Sequence, residues 1–193
     1  MKKIKVLIAD DHAVVRTGLA AILGTEADIE VVGLAKNGAE AVETAIAAKP
    51  DVVIMDIRMP VMDGAEATAE LREKLPDAKV LVLTSFGEAD GVALALKSGA
   101  AGAITKTAED AELVTVIRNI AAGSNYVSPE IEKLLTEYPP VPKLTPRQHE
   151  ILAYMTKGLT NVEIAKILNI RKDTVEEHVN LLLAKLYSSN RTE

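Results

Sequence analysis

Short apolar runs of strand length recur from residue 4 to residue 105, and each is followed by a stretch with helical spacing. The strand-like runs are 4–9, 29–35, 52–55, 80–83 and a weaker one at 102–105, and the helical stretches are 14–23, 39–49, 65–74, 91–98 and 110–122. Alternating strands and helices need right-handed crossovers, which build a parallel sheet covered on both faces. The runs are apolar at successive positions, as expected of strands buried on both sides. The chain is therefore predicted to open with a doubly wound, five-stranded parallel α/β domain.

Polar side chains follow four of these five runs, at the point where each strand would end. They are Asp10 and Asp11 after the first, Asp56 after the third, Thr84 and Ser85 after the fourth, and Lys106 after the fifth. The carboxyl ends of parallel strands line one crevice, where ligands bind in sheets of this kind. Taken singly, Asp10 or Asp11 could cap the next helix and Thr84 could cap a turn. Taken together, these side chains are predicted to meet in one site.

Three clustered carboxylates repel one another unless a cation offsets their charge. Oxygen ligands of this kind suit Mg²⁺, which keeps several waters and needs few protein ligands. The ion would orient a phosphoryl group attacked by one carboxylate, and Lys106 would neutralise further phosphoryl charge. Thr84 would donate to a phosphoryl oxygen, and Ser85 is small enough to leave room for the group. The pattern therefore favours Mg²⁺-assisted phosphoryl transfer.

Residues 2–123 resemble the receiver domain of bacterial two-component response regulators, which has a flavodoxin-like fold. The resemblance rests on the residues above together with Met59-Pro60, Asp63-Gly64 and Gly99-Ala100. It implies that Asp56 accepts the phosphoryl group. It also implies that Asp11, Asp56 and the backbone carbonyl of Arg58 bind Mg²⁺ directly, and that Asp10 assists through water. Such a domain catalyses its own phosphorylation, from a sensor histidine kinase or a small acyl phosphate, and no other enzymatic activity is expected.

Two positions depart from the receiver pattern. Receivers usually carry Tyr or Phe three residues before the lysine, and that ring moves inward on activation; here the position is Ala103. We therefore expect phosphorylation to be coupled to the rest of the chain by a different route. Lys106 is followed by Thr107 where proline is common, and Thr107 is predicted to cap the last helix of the domain.

Composition and charge limit the other possibilities. The 193 residues are 48% apolar and 26% charged, with no cysteine and no apolar stretch long enough to span a bilayer, so we expect a cytoplasmic protein without a membrane partner. Residues 1–125 hold 13 lysines and arginines against 19 aspartates and glutamates, whereas residues 143–193 hold 8 against 6. The prolines at 129, 139, 140 and 142 indicate a semi-stiff linker over 124–142, with a short helix-like piece at 129–136 inside it. The predicted domains are therefore an acidic one at 1–123 and a slightly basic one at 143–193.

The C-terminal part carries signals for three short helices. Thr145 with Gln148 and Thr160 with Glu163 form two capping boxes, and a third helix is predicted to begin near Asp173. The second helix is predicted to bury four apolar residues, namely Val162, Ile164, Ala165 and Leu168. On this pattern alone, the three helices could be an all-α packing or dimerisation module as well as a DNA-binding one.

Residues 143–193 resemble the helix-turn-helix DNA-binding domain of the NarL/FixJ (LuxR-type) regulators. The shared motifs are Leu-Thr-Pro-Arg at 144–147, Gly-Leu-Thr-Asn at 158–161, Glu-Ile-Ala at 163–165 and Thr-Val at 174–175. The resemblance implies that the helix at 173–187 enters the major groove of double-stranded promoter DNA. The DNA contacts it implies are Arg147, Thr160, Asn161, Arg171, Lys172, Thr174, Val175, Glu176 and Lys185.

This part also departs from its family. Glu176 and Glu177 stand where Lys or Arg usually faces DNA, so we expect weak non-specific affinity and reliance on dimerisation. A glutamate can nevertheless accept from a cytosine amino group. The family continues into a fourth helix that pairs two such domains, and this domain is expected to lack it.

The leading hypothesis is a response regulator that is phosphorylated on Asp56, forms a homodimer on activation and controls transcription by binding DNA. The alternative is a phosphoreceiver whose helical module binds protein instead of DNA. A phosphatase with an aspartyl nucleophile is disfavoured, because Arg58 occupies the position of the usual second aspartate. We assign no chemistry to His12, His149 or His178.

Overall fold

The computed structural model describes residues 2–85, 88–137 and 144–185, apart from the side chain of Ala184. The chain divides into two compact units, Met1–Pro140 and Val141–Glu193. Among the described residues, no helix is long and apolar enough to cross a membrane.

The first unit is a parallel sheet with helices on both faces, and its doubly wound topology confirms the predicted fold class. The strands are β1 (Ile4–Ala9), β2 (Ile29–Ala35), β3 (Val52–Asp56), β4 (Lys79–Thr84), β5 (Gly102–Thr105) and β6 (Tyr126–Val127), in the order β2-β1-β3-β4-β5-β6. The helices are α1 (Ala13–Gly24), α2 (Gly38–Ala48), α3 (Gly64–Lys74), α4 (Ala89–Lys97), α5 (Asp110–Ala121) and α6 (Pro129–Glu137). One core cluster covers each face of the sheet. The fully buried pattern of β3 and β5 matches the continuous hydrophobicity of these runs.

The segment 124–137, predicted to be part of a linker, folds onto this unit. Tyr126 and Val127 add a sixth strand beside β5, paired with Gly102 and Ala103. Gly102 permits this approach, because a Cβ there would lie 2.3 Å from the Tyr126 carbonyl oxygen. Ile131 of α6 is fully buried. The short helical piece predicted to begin at Pro129 is α6, and Pro129 occupies its first position, where no backbone N–H is needed. Residues 138–142 of the predicted linker lie outside the described residues.

The start of α5 differs from the prediction. Thr107 was predicted to cap this helix, but the N-cap residue is Glu109, which makes no side-chain capping bond. The Thr107 hydroxyl instead pairs with the Thr105 hydroxyl at 3.0 Å. The prediction was wrong because the chain first makes a turn, closed by Ala108 N–H donating to Thr105 O, before it becomes helical.

The second unit consists of α7 (Pro146–Met155), α8 (Asn161–Ile167) and α9 (Lys172–Lys185). Both predicted capping boxes are present, Thr145 with Gln148 and Thr160 with Glu163. The core is formed by Ile151, Ile164, Ala165, Val175, Val179 and Leu182. Residues 186–193 lie outside the described residues, so the structure does not test the expectation about the family's fourth helix.

Val162 was predicted to be buried, but it is exposed. Residues two apart on a helix lie about 200° apart around its axis. Val162 and Ile164 therefore cannot both face the core, and Ile164 takes that side.

Candidate functional site

The sheet brings the predicted polar residues to one edge. Ala9 at the end of β1 is in register with Met55, and Thr84 at the end of β4 is in register with Thr105. Asp10 and Lys106 directly follow β1 and β5, and Asp56 is the last residue of β3. The carboxyl ends of four neighbouring strands thus carry the side chains that the sequence pointed to.

Lys106 joins two buried carboxylates at the centre of this edge. Its Nζ lies 2.6 Å from Asp10 Oδ2 and 2.9 Å from Asp56 Oδ1. Asp10 and Asp56 are only 1% and 3% exposed. Burial works to lower the pKa of Lys106, but the hydrogen bonds to both carboxylates outweigh it, so this pKa lies above its usual value. The lysine therefore stays charged and offsets the repulsion between the two aspartates.

The pKa of Asp56 is raised to about 6, chiefly because the carboxyl is buried. Hydrogen bonding and charge attraction from Lys106 act in the opposite direction, while the charges of Asp10 and Glu88 raise the pKa further. Asp56 is thus poised between a neutral and an ionised carboxyl in mildly acidic solution. Near neutral pH the carboxylate predominates.

Asp11 and His12 complete the cluster on its exposed side. His12 Nδ1 lies 2.7 Å from Asp11 Oδ1 and 3.2 Å from Asp10 Oδ1. One ligand atom from each of Asp10, Asp11, His12 and Asp56 lies within 4.8 Å of the others. Sequence reasoning missed His12, and its position directly after the aspartate pair was the one available signal.

The loop between β3 and α3 holds Asp56 in place. Gly64 N–H donates to Ile57 O at 2.9 Å, and a Cβ on Gly64 would lie 2.0 Å from the Asp56 carbonyl oxygen. Only glycine fits that position. Asp63 caps α3 in a capping box with Glu66, so the loop is tied at both ends.

Thr84 and Ser85 contact a residue that sequence reasoning missed, Glu88. The Thr84 hydroxyl donates to Glu88 Oε2 at 2.5 Å, and the backbone N–H of Ser85 donates to the same oxygen at 3.2 Å. The other carboxylate oxygen of Glu88 lies 3.0 Å from Arg58 Nε. Glu88 stands three residues after Ser85, and no motif or spacing in the sequence indicated its role.

In the second unit, several predicted DNA contacts are ion-paired with acidic neighbours. Arg171 pairs with Asp173 at 2.9 Å, and Lys172 pairs with Glu176 at 2.8 Å. Arg147 pairs with Glu150 at 2.8 Å and also donates to Leu168 O.

Other predicted contacts have structural roles. Lys185 Nζ donates to Gln148 Oε1 at 2.9 Å, and the Thr160 hydroxyl caps α8. Val175 was predicted to contact DNA, but its side chain is fully buried in the core, because it faces α7 and α8 rather than solvent. Asn161 and Thr174 are half-buried.

Comparison with known proteins gives the same two units. Residues 6–118 match the family model described as response regulator receiver domain, and residues 142–193 match that described as bacterial regulatory proteins, luxR family. The response regulator protein VraR of Staphylococcus aureus is 40% identical over 195 residues, covering 98% of this chain and 93% of VraR.

Solved structures agree with these matches. The response regulator ChrA of a heme-sensing two-component system is 33% identical, with a TM-score of 0.65, covering 100% of this chain and 94% of that chain. A LuxR-family response regulator from Aurantimonas sp. is 32% identical over 70% of this chain and 97% of its own, also with a TM-score of 0.65. RcsB in an RcsB–DNA complex, at 23% identity and a TM-score of 0.69 over 98% of this chain and 94% of its own, shares the fold.

A receiver fold with an acidic edge, followed by a helix-turn-helix unit, defines a two-domain signalling protein with a DNA-binding output. The chain belongs to the response regulators of two-component systems, in the branch with a LuxR-type DNA-binding domain. The alternative of a protein-binding module at the C-terminus is not favoured.

Proposed function

We propose that Asp56 accepts a phosphoryl group from the phosphohistidine of a sensor histidine kinase, and that this change controls how the chain binds promoter DNA. The observation that carries the proposal is the buried contact of Asp56 with Lys106, beside Asp10. It supplies a carboxylate nucleophile and a fixed positive charge at one point.

The transfer requires an ionised Asp56. One of its oxygens attacks phosphorus, the phosphorus–nitrogen bond breaks, and the imidazole nitrogen of the kinase keeps the electron pair. Lys106 is positioned to neutralise a phosphoryl oxygen, and Thr84 can donate its hydroxyl proton to another. Ser85, the next residue along, is exposed and leaves space at the edge.

The donor set fits Mg²⁺. The carboxylates of Asp10, Asp11 and Asp56 offer closely spaced oxygens, which are the ligands a hard divalent cation prefers. Asp11, Asp56 and the Arg58 carbonyl would hold the ion, and Asp10 would act through water. Bound there, the ion supplies electrostatic shielding of the phosphoryl oxygens. Self-catalysed phosphorylation and dephosphorylation of Asp56 would then depend on Mg²⁺.

DNA binding by the second unit would use the helix α9 in the major groove, with homodimerisation on activation. RcsB, which shares this fold, has been solved in complex with DNA. The contacts we propose are Arg147, Thr160, Asn161, Arg171, Lys172, Thr174, Glu176 and Lys185.

The proposal is tested by incubating the full-length chain with Mg²⁺ and acetyl phosphate, then measuring intact mass, oligomeric state and DNA binding. Wild type should gain one phosphoryl group, whereas Asp56→Ala should gain none. Asp51→Asn is a matched control, since it removes a carboxylate at the opposite end of β3. Omission of Mg²⁺ should abolish the gain. Wild type that stays unmodified, or Asp56→Ala that is modified equally, would contradict the proposal.

A further inference from the structure

Glu88 links the acceptor edge to helix α4. It is the residue immediately before α4, and its side chain is only 11% exposed. Both carboxylate oxygens are engaged: one accepts from Thr84 and from the backbone of Ser85, and the other faces Arg58. The Glu88 carboxylate is thus held firmly next to the acceptor site, although the phosphoryl transfer itself does not use it.

The Thr84 hydroxyl carries one proton and can donate it to one acceptor at a time. In this structure the nearest acceptor is Glu88 Oε2 at 2.5 Å, with the Ser85 carbonyl oxygen at 3.0 Å. A phosphoryl oxygen on Asp56 would need the same proton. Glu88 and the phosphoryl group are therefore competitors for Thr84.

We propose that Glu88 is a positioning residue that holds the Thr84 hydroxyl in the unphosphorylated chain, and that loss of this bond on phosphorylation releases the N-terminus of α4. The inference rests on the proposed function, since it requires Asp56 to be the acceptor. In this proposal Glu88 slows phosphorylation of Asp56, and loss of its bond to Thr84 is the first structural change that follows phosphorylation.

Helix α4 is built to transmit such a release. Gly91 in α4 lies so close to Ile57 that a Cβ on residue 91 would come within 2.4 Å of Ile57 Cγ2. Ile57 and Arg58 are the two residues after Asp56, so α4 touches the acceptor loop through both Gly91 and Glu88.

The opposite end of this route is α6, the last element described before the DNA-binding unit. Helix α6 contacts both α4 and β5. Its buried residue Ile131 belongs to the same core cluster as Val92 and Ala95 of α4 and Ala103 of β5. Ala103 contributes only a methyl group, so the connection from Thr84 to α6 runs through α4 rather than through an aromatic ring.

The test compares Glu88→Ala and Glu88→Gln with wild type in the full-length chain, using Mg²⁺ and acetyl phosphate. Glu88→Ala removes both the acceptor and its charge, and we expect about tenfold faster phosphorylation, the size of one lost charge-assisted hydrogen bond. Glu88→Gln keeps an oxygen that can accept from Thr84, so its rate should stay closer to wild type. If the effect were only the loss of negative charge near Asp56, the two variants would be equally fast. Asp90→Ala, which removes the same charge from the first turn of α4, is the control and should match wild type.

The second readout is hydrogen exchange of α6 without phosphorylation. Glu88→Ala should exchange several-fold faster over residues 129–137, and wild type should reach the same rate only with acetyl phosphate present. An unchanged phosphorylation rate in Glu88→Ala, equal rates for the Ala and Gln variants, or unchanged exchange in α6 would each overturn the inference. If wild type itself were not phosphorylated on Asp56, the proposed function would fail instead, so the two failures are distinguishable.

Discussion

At the residue scale, the acceptor edge is a balance of buried charges. Lys106 lies between Asp10 and Asp56, so the three side chains carry one excess negative charge in a low-dielectric environment, and removal of Lys106 would leave both carboxylates uncompensated. The raised pKa of Asp56 shows that its burial outweighs the help from Lys106. The site therefore favours binding of a cation or protonation of Asp56.

This pKa makes stability depend on pH. The pKa of Asp56 rises from 3.8 to about 6 on folding, so the native chain binds the extra proton. The resulting stabilisation is complete below about pH 4 and is lost as the pH rises through 6. Without Mg²⁺, the free energy of unfolding of wild type relative to Asp56→Asn should fall by about 2 kcal/mol between pH 4 and pH 7. Urea unfolding of both proteins across this range measures it, and a difference that is flat with pH would refute the shift.

Val61, in the loop between Asp56 and α3, is in a conformation that β-branched residues rarely adopt. Its φ is 72° and its side chain is 85% exposed, so it gains little from packing. Val61→Gly should raise the unfolding free energy of the first unit by about 1 kcal/mol, because the left-handed strain is removed. Thermal unfolding measures this gain.

The control for Val61 is Val14, which is equally exposed but lies in α1. Val14→Gly should lower stability, because glycine disfavours a helix. A loss in both variants would show that the loop is not strained.

At the element scale, α6 completes the first unit. Ile131 is 1% exposed in the core beneath α4 and β5. Ile131→Ala should lower the unfolding free energy of this unit by about 3 kcal/mol through the cavity it leaves. Lys133→Ala, on the exposed side of the same helix, should change it by less than about 0.5 kcal/mol. Chemical denaturation of the full chain, monitored by hydrogen exchange in β5, gives the change in unfolding free energy for both variants. Equal effects of the two variants would place α6 outside the core.

In the second unit, Gln148 ties two helices together. Its Oε1 accepts from the backbone N–H of Thr145 at 3.0 Å and from Lys185 at the end of α9. Gln148→Ala should destabilise this unit by about 1–2 kcal/mol, since a buried cap and a buried acceptor are both lost. Gln148→Glu retains the acceptor and should recover most of the loss in a thermal melt. Failure of the glutamate variant to recover stability would argue against the capping role.

Predictability from sequence was uneven among these elements. Periodicity located β1 to β5 and α1 to α5, and capping chemistry located α7 and α8, because these signals are local. A helical piece at 129–136 was predicted within the linker, but β6 and the packing of α6 on the first unit were not, because the partner surface on α4 and β5 is distant in sequence. At the site, Asp10, Asp56, Thr84 and Lys106 were predicted from strand ends. Glu88 was not, because its role depends on how α4 is placed.

At the scale of the whole molecule, charge separates the two functions. The net charge of −6 belongs to residues 1–125, where clustered carboxylates form the site, while residues 143–193 carry two more basic than acidic residues. The described ion pairs within the second unit, such as Lys172 with Glu176, further reduce the positive charge available to DNA.

Releasing one of these pairs should strengthen electrostatic binding. Glu176→Gln frees Lys172 for a phosphate, so affinity for a random-sequence duplex should rise and the dependence of log K on log salt should steepen by about 1. Glu177→Gln removes the same charge one residue further along α9 and serves as the control. A salt titration followed by fluorescence anisotropy measures both slopes. Identical slopes for the two variants would mean that net charge, and not the Lys172–Glu176 pair, limits binding.

The sequence by itself determined the strand and helix order, the helix caps of the second unit and the residues at the strand ends, because hydrophobic period and capping act over a few neighbouring residues. It also determined the division of charge between the two parts. Only the tertiary structure decided that Lys106 bridges Asp10 and Asp56, that Glu88 holds Thr84 and that α6 belongs to the receiver. These contacts join residues whose meeting depends on the crossover geometry of the sheet and on which face of each helix packs, and no local pattern encodes that.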